Sequence, residues 1–522
     1  MAKLYTEHEW VYPDDPAGQD EEISLHAARG GSVCFQALTE DVLSGGETAQ
    51  VTWRFPADIR VRVCQMRPAL VDLNSARDRL CTRNYDEVKD FVTRKAPFEV
   101  YDVLSPLDGT PLSPGRAAFW VRLNVPDTCA PGTYDLGLAV QYAGGGFSCR
   151  VYLTVHAARV PDYDHARFGM INWLMLNRLD QAHGLTRGDA RRERVIRAYL
   201  ENQKDMRTTD LMLPSGTPIR DEKGNLTGFD FSDAELVGNM ALQMGFHRVL
   251  GGFVARFKVW DEKTHYLLWD RDVSVASLEG YRQLSMYFQD AWACVVRNGW
   301  QAKYVQCLVD EPQFPNSEHY RILCGICRKH MPGVVIHDPV ESTDLFGGPD
   351  IWCVKQAVYE KYIDTYRALQ GMGEEMWLYT CGFPGGWVMN RVMDLPLTVS
   401  RLPFWMCALY RCRGFLHWGY NALPDDWTVR TCMRPEPGNE DIAYPAGNAH
   451  IVYPGEDGPL DGVRAQLQRM GAEDAELLYQ LIDRDPDKAD DIIRSVCTTF
   501  SDYDPSPRAL ESARVALLTA LD

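Results

Sequence analysis

From residue 166 onward, short apolar runs alternate with stretches of helical period, and this alternation constrains the fold more than any other feature. Such a pattern is typical of parallel strands joined by crossover helices. Eight apolar runs over roughly 290 residues fit a (β/α)8 or TIM barrel. They are "FGMINWL", "DLMLP", "RVLGGF", "YVQCLVDE", "VVIHD", "IWCV", "MWLYTC" and "GFLHWGYN", with helices predicted at 191–205, 275–298, 317–330 and 356–371.

The segments on either side of this pattern have different hydrophobic periodicities. Residues 1–160 contain short alternating runs such as "VTWRF", "IRVRVCQM" and "AAFWVRLNV", separated by Gly, Pro and Asp turns, which predicts an N-terminal β-sandwich. After Tyr453 the periodicity becomes helical. We therefore predict an α/β protein in three parts: a sandwich at 1–160, a catalytic barrel at 166–455 and a helical segment at 456–522.

Composition excludes several classes of partner. A chain of 522 residues is too long for one core, because single cores stop growing at roughly 250–300 residues. Its 54 Lys and Arg against 72 Asp and Glu give a net charge of −18, which repels phosphate backbones and anionic lipids. Neither nucleic acid nor a membrane is an expected partner. The sequence leaves the oligomeric state open, a homo-oligomer included.

The N-terminus and the cysteines predict a cytoplasmic protein. "MAKLYTEHEWVYPDDP" lacks the apolar stretch of a signal peptide, and about 18 uncharged apolar residues never run together. The 15 cysteines are odd in number and many lie in apolar segments, as expected of reduced, buried thiols. Cys324 and Cys327 have C-x-x-C spacing, but without a second such pair we interpret them as neighbours on a helix face.

Two adjacent carboxylates, Asp310 and Glu311, close the fourth apolar run. The active site of a TIM barrel lies at the C-terminal ends of its strands, so this position favours a catalytic role over a solvated loop or a helix cap. Other run ends carry aromatic and amide side chains, which suit the apolar faces and hydroxyl groups of sugars. These are Asn172, Trp173, Tyr379, Thr380, His417, Trp418, Tyr420 and Asn421, with Trp387 added from the loop after the seventh run.

Two carboxylates in a sugar-sized cleft suggest glycoside hydrolysis. A conventional retaining enzyme needs a nucleophilic carboxylate about 5–5.5 Å across the cleft from the acid, but Glu374 and Glu375 open the seventh run instead of closing it. Adjacent carboxylates can act together if the substrate supplies a 2-acetamido group as its own nucleophile. Asp310 would then stabilise the acetamido N–H, and Glu311 would serve as acid and base. The proximity of the two carboxylates would separate their pKa values.

Several of these segments resemble a known family. "VDEP" at a strand end, followed by "WLYTC", "NRVMDLPLTVSRLPFW" and "GFLHWGYN", is similar to the catalytic domain of glycoside hydrolase family 123, a group of β-N-acetylgalactosaminidases. "AGNAHIVYPG" and "GVRAQLQRMGAEDAELL" resemble the segments that close that domain. The hairpin "APGTYDLGLAVQY" resembles the sandwich that precedes such barrels. The resemblance covers most of the chain, in order.

This resemblance implies a (β/α)8 barrel, retention of configuration through the acetamido group, and neither a metal nor an organic cofactor. Glu311 looks like the acid/base and Asp310 like the acetamido-positioning residue. Tyr379 looks like a partner of the acetamido group, and Trp418 and Asn421 look like walls of the sugar pocket. Further matching positions are equally explained by a buried network that supports the loops: Asn390, Arg391, Asp394 and Arg401. Gln466 departs from the family, in which an acidic residue is usual.

Three functions remain open from the sequence. The first is an exo-acting β-N-acetylhexosaminidase, with galactosamine favoured through the resemblance alone. The second is a glycosidase of another specificity that uses a loop carboxylate as nucleophile, with Asp338 and Asp394 as candidates. The third is a carbohydrate-binding protein that has lost catalysis, because a fold does not fix a function.

Overall fold

The N-terminal part of the chain forms two β-sheets packed face to face. The structure is a computed structural model, which describes residues 2–56, 58–434 and 443–522. A shared core from the inner faces of both sheets includes Phe35, Phe119, Leu138 and Val151. The strands of this part are β1 (Ala2–Thr6), β2 (Glu22–Arg29), β3 (Ser32–Leu43), β4 (Gln50–Arg54), β5 (Arg60–Val71), β6 (Asn74–Ser75), β7 (Cys81–Thr82), β8 (Phe98–Pro106), β9 (Gly115–Asn124), β10 (Gly132–Tyr142) and β11 (Gly145–Arg159). Strands β6 and β7 pair only with each other, as a short hairpin beside the two sheets.

Eight parallel strands follow and curl into an almost closed barrel, which confirms the predicted fold class. They are β12 (Gly169–Asn172), β13 (Asp210–Met212), β16 (Arg248–Gly251), β19 (Tyr304–Gln306), β20 (Val335–Val340), β21 (Ile351–Lys355), β22 (Glu375–Thr380) and β23 (Gly414–His417). Each of the eight predicted runs overlaps one of them. Strands β12 and β13 form the two ends of the row, and the Thr209 backbone N–H donates to the Met170 carbonyl between them at 3.1 Å.

Helices surround the barrel and two small hairpins extend its loops. The hairpins are β14 (Thr217–Arg220) with β15 (Leu226–Asp230), and β17 (Ala255–Arg256) with β18 (Tyr266–Leu267). The helices are α1 (Leu176–Ala182), α2 (Arg192–Asp205), α3 (Ser232–Gln243), α4 (Leu278–Arg297), α5 (Ser317–His330), α6 (Gln356–Lys361), α7 (Ile363–Gly371) and α8 (Leu402–Leu409). The helix predicted at 356–371 is thus two helices, separated at Tyr362.

The barrel interior is filled by every second residue of its strands, as the two-residue period of a strand requires. Its core includes Ile351, Cys353, Trp377 and Tyr379. The Trp377 indole lies against two glycines, because a Cβ on Gly169 would lie 2.1 Å from the ring and one on Gly414 would lie 2.4 Å away. The same inward rows reach the cleft at their C-terminal ends.

The C-terminal part returns to the sandwich before it becomes helical. Strand β25 (Pro459–Gly462) pairs antiparallel with β8, and β24 (Val452–Pro454) adds beyond it, so that a seven-stranded sheet is completed by residues far along the chain. The helices α9 (Val463–Arg484), α10 (Pro486–Arg494) and α11 (Pro507–Leu521) follow, with the hairpin β26 (Cys497–Thr499) and β27 (Asp502–Tyr503) between the last two.

Helix α9 lies between the sandwich and the barrel and carries buried charges to both. Arg464 pairs with Asp102 of β8 at 2.8 Å, with both side chains fully buried. Asp474 accepts from the Arg401 guanidinium of the barrel at 2.6 Å, and both of these side chains are also fully buried. The helix therefore fixes the two parts against each other through paired charges as well as apolar contacts.

All 15 cysteines are free thiols, and Cys324 and Cys327 are buried on α5. Burial raises the pKa of the Cys324 thiol above its usual value. In the part of the chain that the structure describes, none of the helices combines the length and apolarity needed to cross a membrane.

Candidate active site

A cleft of about 780 Å³ opens at the C-terminal ends of the barrel strands. The wall of the cleft is formed by residues at or shortly after the ends of six strands: β12, β19, β20, β21, β22 and β23. Its lining includes Trp173, Asp310, Glu311, Glu341, Lys355, Tyr379, Cys381, Trp418 and Tyr444. Carboxylates, an ammonium group and aromatic rings therefore meet in one place, where a TIM barrel holds its catalytic groups.

Asp310 and Glu311 reach the cleft because the chain after β19 is held extended and then turns sharply. The buried Asp338 carboxyl accepts from the Leu308 and Val309 backbone N–H groups at 2.7 and 3.3 Å. Glu311 has φ of 57°, in the left-handed region that a non-glycine residue adopts at a cost in strain. The Glu311 N–H donates to the Pro339 carbonyl at 3.1 Å. Strained backbone of this kind is concentrated at functional sites.

Three groups face the Oε1 atom of Glu311. The Tyr379 hydroxyl donates to it at 2.6 Å, and the Lys355 Nζ lies 3.5 Å away. The Cys381 thiol lies 3.9 Å from the same oxygen. The Glu311 side chain is only 15% exposed, so these contacts act in surroundings that contain little water.

Asp310 differs from Glu311 in its surroundings. Its side chain is exposed to the open cleft, and no hydrogen bond from the described part of the protein reaches its carboxyl. The walls of the cleft nevertheless exclude much bulk water, and this desolvation, followed by the charges of Glu311 and Asp338, raises the pKa of Asp310 well above its usual value. An unpartnered carboxyl of this kind is available to a donor on a ligand.

The raised pKa of Asp310 predicts a stability effect. The native protein retains this proton to a higher pH than the unfolded chain, so its stability falls as the pH rises through the raised pKa. We expect Asp310→Asn to raise Tm over wild type more at about pH 7.5 than at about pH 4. Thermal unfolding of both proteins at the two pH values measures this difference, and an equal difference at both values would contradict the prediction.

The structure brings five of the predicted site residues together. Asp310, Glu311, Tyr379, Trp173 and Trp418 all line the cleft. Trp173 packs edge-on against Phe253, with ring centroids 5.3 Å apart, and Trp418 does the same against Tyr444 at 5.2 Å. Both indoles are half-buried, so each presents part of its ring to a ligand.

Four predicted substrate-binding residues lie outside the lining of this cleft. Asn421 exchanges two hydrogen bonds with the Met175 backbone, and the Asn172 amide oxygen accepts from Arg391. The Tyr420 hydroxyl donates to Asn202 of α2. Trp387 stacks on Tyr503 with centroids 4.6 Å apart. As placed, all four side chains support loops around the site.

The four further positions that match the family also make the contacts of a buried supporting network: Asn390, Arg391, Asp394 and Arg401. Asn390 donates to the Cys381 carbonyl, and Arg391 donates to Gln468 of α9 at 2.7 Å. Asp394 accepts from the Ser75 N–H and hydroxyl of the sandwich, both at 2.7 Å. Arg401 pairs with Asp474, as described above. Gln466 connects Arg122 of the sandwich to Asp461.

Glu341 and Lys355 were not predicted as site residues. The fifth apolar run ends at Asp338, but β20 continues to Val340, and Glu341 directly follows it. Both side chains continue inward-facing rows, which run from Val335 to Glu341 and from Ile351 to Lys355. Counting the two-residue period through the end of each run was the signal that would have found them.

The sandwich also contributes to the cleft. Leu80, which directly precedes β7, lines it. The Gly386 N–H in the loop after β22 donates to the Ala76 carbonyl at 2.8 Å, so the two segments are held together. Trp260, between β17 and β18, is 53% exposed and also lines the cleft. The wall thus combines residues from both structural parts.

Within residues 2–56, 58–434 and 443–522, no group of three or more His, Cys, Asp or Glu side chains has an arrangement that would hold a metal ion.

Comparison with known proteins agrees with this architecture. The family described as "Glycoside hydrolase 123, catalytic domain" matches residues 196–481, which is more than half of the chain. A family 123 glycoside hydrolase from Clostridium perfringens superposes with a TM-score of 0.74 at 10% identity, covering 100% of this chain and 96% of that one. The fold and family thus define a barrel enzyme of the glycoside hydrolase class. The chain belongs to glycoside hydrolase family 123.

Other solved structures are more distant. A GH10 xylanase with a bacterial Ig-like domain from termite gut gives a TM-score of 0.36 at 10% identity, covering 88% of this chain and 100% of that one. The endo-β-1,4-mannanase from Thermotoga petrophila gives 0.35 at 11% identity, covering 60% and 78%. No curated protein matches the sequence.

Proposed function

We propose that this glycoside hydrolase removes a terminal β-linked N-acetylhexosamine, with N-acetylgalactosamine favoured, by retaining catalysis through the substrate's 2-acetamido group. The observation that carries the proposal is the pair of adjacent carboxyls, Asp310 and Glu311, which face one cleft in different surroundings. No group in the described part of the chain donates to the Asp310 carboxyl, whereas Tyr379 donates to Glu311, and Lys355 and Glu341 lie beside it. This division suits one group that meets a ligand N–H and another that transfers a proton.

In the proposed reaction, the acetamido carbonyl oxygen forms a bond to the anomeric carbon as the glycosidic bond breaks. The Glu311 carboxyl gives its proton to the departing oxygen and becomes a carboxylate. Asp310 acts as a carboxylate in this step. Desolvation in the cleft raises its pKa, but the acetamido N–H and the positive charge of the oxazolinium ring both favour the ionised form, which accepts the N–H and stabilises that charge. Water then attacks the anomeric carbon and loses a proton to Glu311 while the bond between that carbon and the acetamido oxygen breaks. The acetamido group is thereby restored, the sugar is released with retained configuration, and the enzyme returns to its starting state.

The carboxyls considered as conventional nucleophiles are held elsewhere. Asp338 accepts from two backbone N–H groups and from the Tyr320 hydroxyl at 2.7 Å beneath the end of β19. Asp394 is bound to the sandwich. Glu341 does line the cleft, but it is in hydrogen-bonding contact with Glu311, which leaves no space for a sugar ring between them. A conventional retaining pair requires about 5–5.5 Å.

The Clostridium perfringens family member was studied for glycolipid glycan hydrolysis. A glycan of a glycoconjugate is therefore the substrate class that we propose to test first. Trp173, Trp418 and the exposed Trp260 supply the aromatic surfaces that such sugars stack on.

We expect release of nitrophenol from either the β-N-acetylgalactosaminide or the matching glucosaminide. The thiazoline analogue of the same sugar should bind at least about 10²-fold more tightly than the substrate, because it mimics the cyclic intermediate. Hydrolysis without tight thiazoline binding would favour a conventional nucleophile. Binding of the sugar by folded protein without turnover would favour the non-catalytic alternative.

A further inference from the structure

The Lys355 ammonium group lies between two carboxyls at the base of the cleft. Its Nζ is 3.5 Å from Glu311 Oε1 and is hydrogen-bonded to Glu341 Oε1. The Lys355 side chain is 8% exposed and the Glu341 side chain 13%. Three ionisable groups therefore face one another in surroundings with little water, where charges interact strongly.

The backbone fixes this arrangement. The Glu311 N–H donates to the Pro339 carbonyl at 3.1 Å, and the Glu341 N–H donates to the Pro312 carbonyl at 3.1 Å. These two bonds continue the pairing of β19 and β20 beyond the ends of the strands and place the two glutamates side by side. Lys355, the last residue of β21, enters from the next strand.

A lone ammonium group at this distance from a general acid would work against catalysis. An opposite charge within about 4–6 Å favours the ionised carboxylate, and a general acid must retain its proton until the glycosidic bond breaks. A second carboxyl on the same ammonium group offsets this effect. Glu341 occupies that position.

We propose that Glu341 is a positioning residue which offsets the charge of Lys355 and shares one proton with Glu311, so that Glu311 remains a proton donor. This role rests on the function proposed above. After Glu311 has given its proton to the leaving oxygen, Lys355 is available to stabilise the new carboxylate. The ammonium group thus supports whichever glutamate is ionised.

The titration properties of the cluster agree with this geometry. Burial, followed by the charge of Glu311, raises the pKa of Glu341 to about 7, and Lys355 limits the rise. Burial alone would lower the pKa of Lys355, but Cys381, Glu311 and Glu341 together raise it above its usual value. The charged and titratable groups that face these glutamates from neighbouring elements are Asp310, Lys355, Tyr366, Tyr379, Cys381 and Tyr444.

The test is the titration of Glu311 in Glu341→Gln. Protein labelled with ¹³C at the glutamate carboxyl is titrated by NMR without substrate, and the Glu311 signal is assigned by its absence in Glu311→Gln. In Glu341→Gln, Lys355 would act on Glu311 alone. We therefore expect the titration midpoint of Glu311 to lie about 1 pH unit or more below its wild-type position. In active protein, the alkaline limb of kcat/KM should move in the same direction. Lys355→Met should move both the Glu311 midpoint and the alkaline limb of kcat/KM to higher pH.

The matched control is Glu374→Gln, a carboxylate-to-amide change at the opposite end of the barrel, which should leave both midpoints where they are in wild type. An unchanged or higher Glu311 midpoint in Glu341→Gln would overturn the proposal. If that variant does not fold, Lys355→Met decides, because a midpoint that fails to rise also overturns it. The NMR readout needs no turnover, so these outcomes are distinct from a failure of the proposed activity.

Discussion

Glu311→Gln should lower kcat/KM for an N-acetylhexosaminide with a sugar leaving group by about 10²–10⁴-fold, the usual contribution of general acid catalysis. The loss should be much smaller for a dinitrophenyl glycoside, because that leaving group departs without a proton. Asp310→Asn should behave differently. It acts on the acetamido group, so its loss should be similar for both kinds of leaving group.

The measurement is kcat/KM for wild type, Glu311→Gln and Asp310→Asn on a series of glycosides whose leaving groups span a wide range of pKa. Glu374→Gln is the control for an amide substitution within the barrel, because Glu374 lies at the opposite end of β22 and accepts from Trp352 there at 3.0 Å. A loss in Glu311→Gln that is independent of the leaving group would remove Glu311 from the role of acid.

Arg464→Met should lower the free energy of unfolding by about 3–5 kcal/mol, because it leaves the buried Asp102 carboxylate without its partner. The guanidinium also donates to the carbonyls of Arg391, Gly447 and His450, at 3.1, 2.7 and 2.8 Å. One substitution therefore affects the sandwich, the segments after β22 and after β23, and the N-terminus of α9 together. Denaturant unfolding followed by tryptophan fluorescence measures the effect.

Two further variants separate the buried charge from the loss of side-chain contacts. Asp102→Asn combined with Arg464→Met removes both charges, so it should recover part of the stability that the single change loses. Arg194→Met breaks an exposed pair with Asp457, whose side chains are 60% and 51% exposed, and should cost only about 0–1 kcal/mol. Similar losses for Arg464→Met and Arg194→Met would contradict the assignment of a stabilising role to the buried pair.

The sequence carried most of the information about the barrel, because hydrophobic periodicity reports directly which faces of a strand or helix are buried. All eight runs overlap barrel strands. The position of β25 beside β8 was not predicted, since pairing between strands some 360 residues apart leaves no local pattern. The break at Tyr362 between α6 and α7 was also missed, because both halves continue one apolar face.

For the site, the sequence identified groups that close a strand, such as Asp310, Glu311 and Tyr379. It did not separate side chains that face the cleft from those that turn into supporting contacts, as Asn421 and Tyr420 do in the structure. That distinction depends on the direction of each side chain after its strand has ended. Glu341 was overlooked because β20 is longer than its apolar run.

The return of the chain to complete the sandwich has a consequence for synthesis in the cell. At Val103 and Leu104, the edge of β8 has no strand beside it until β25 is made, some 360 residues later. At roughly 5–20 residues per second, translation of that interval takes about 20–70 s. An unpaired strand edge is a template for pairing with other chains. This part of β8 therefore presents unpaired backbone N–H and C=O groups while the barrel is being made. Its yield in a cell therefore depends on what shields that edge during translation.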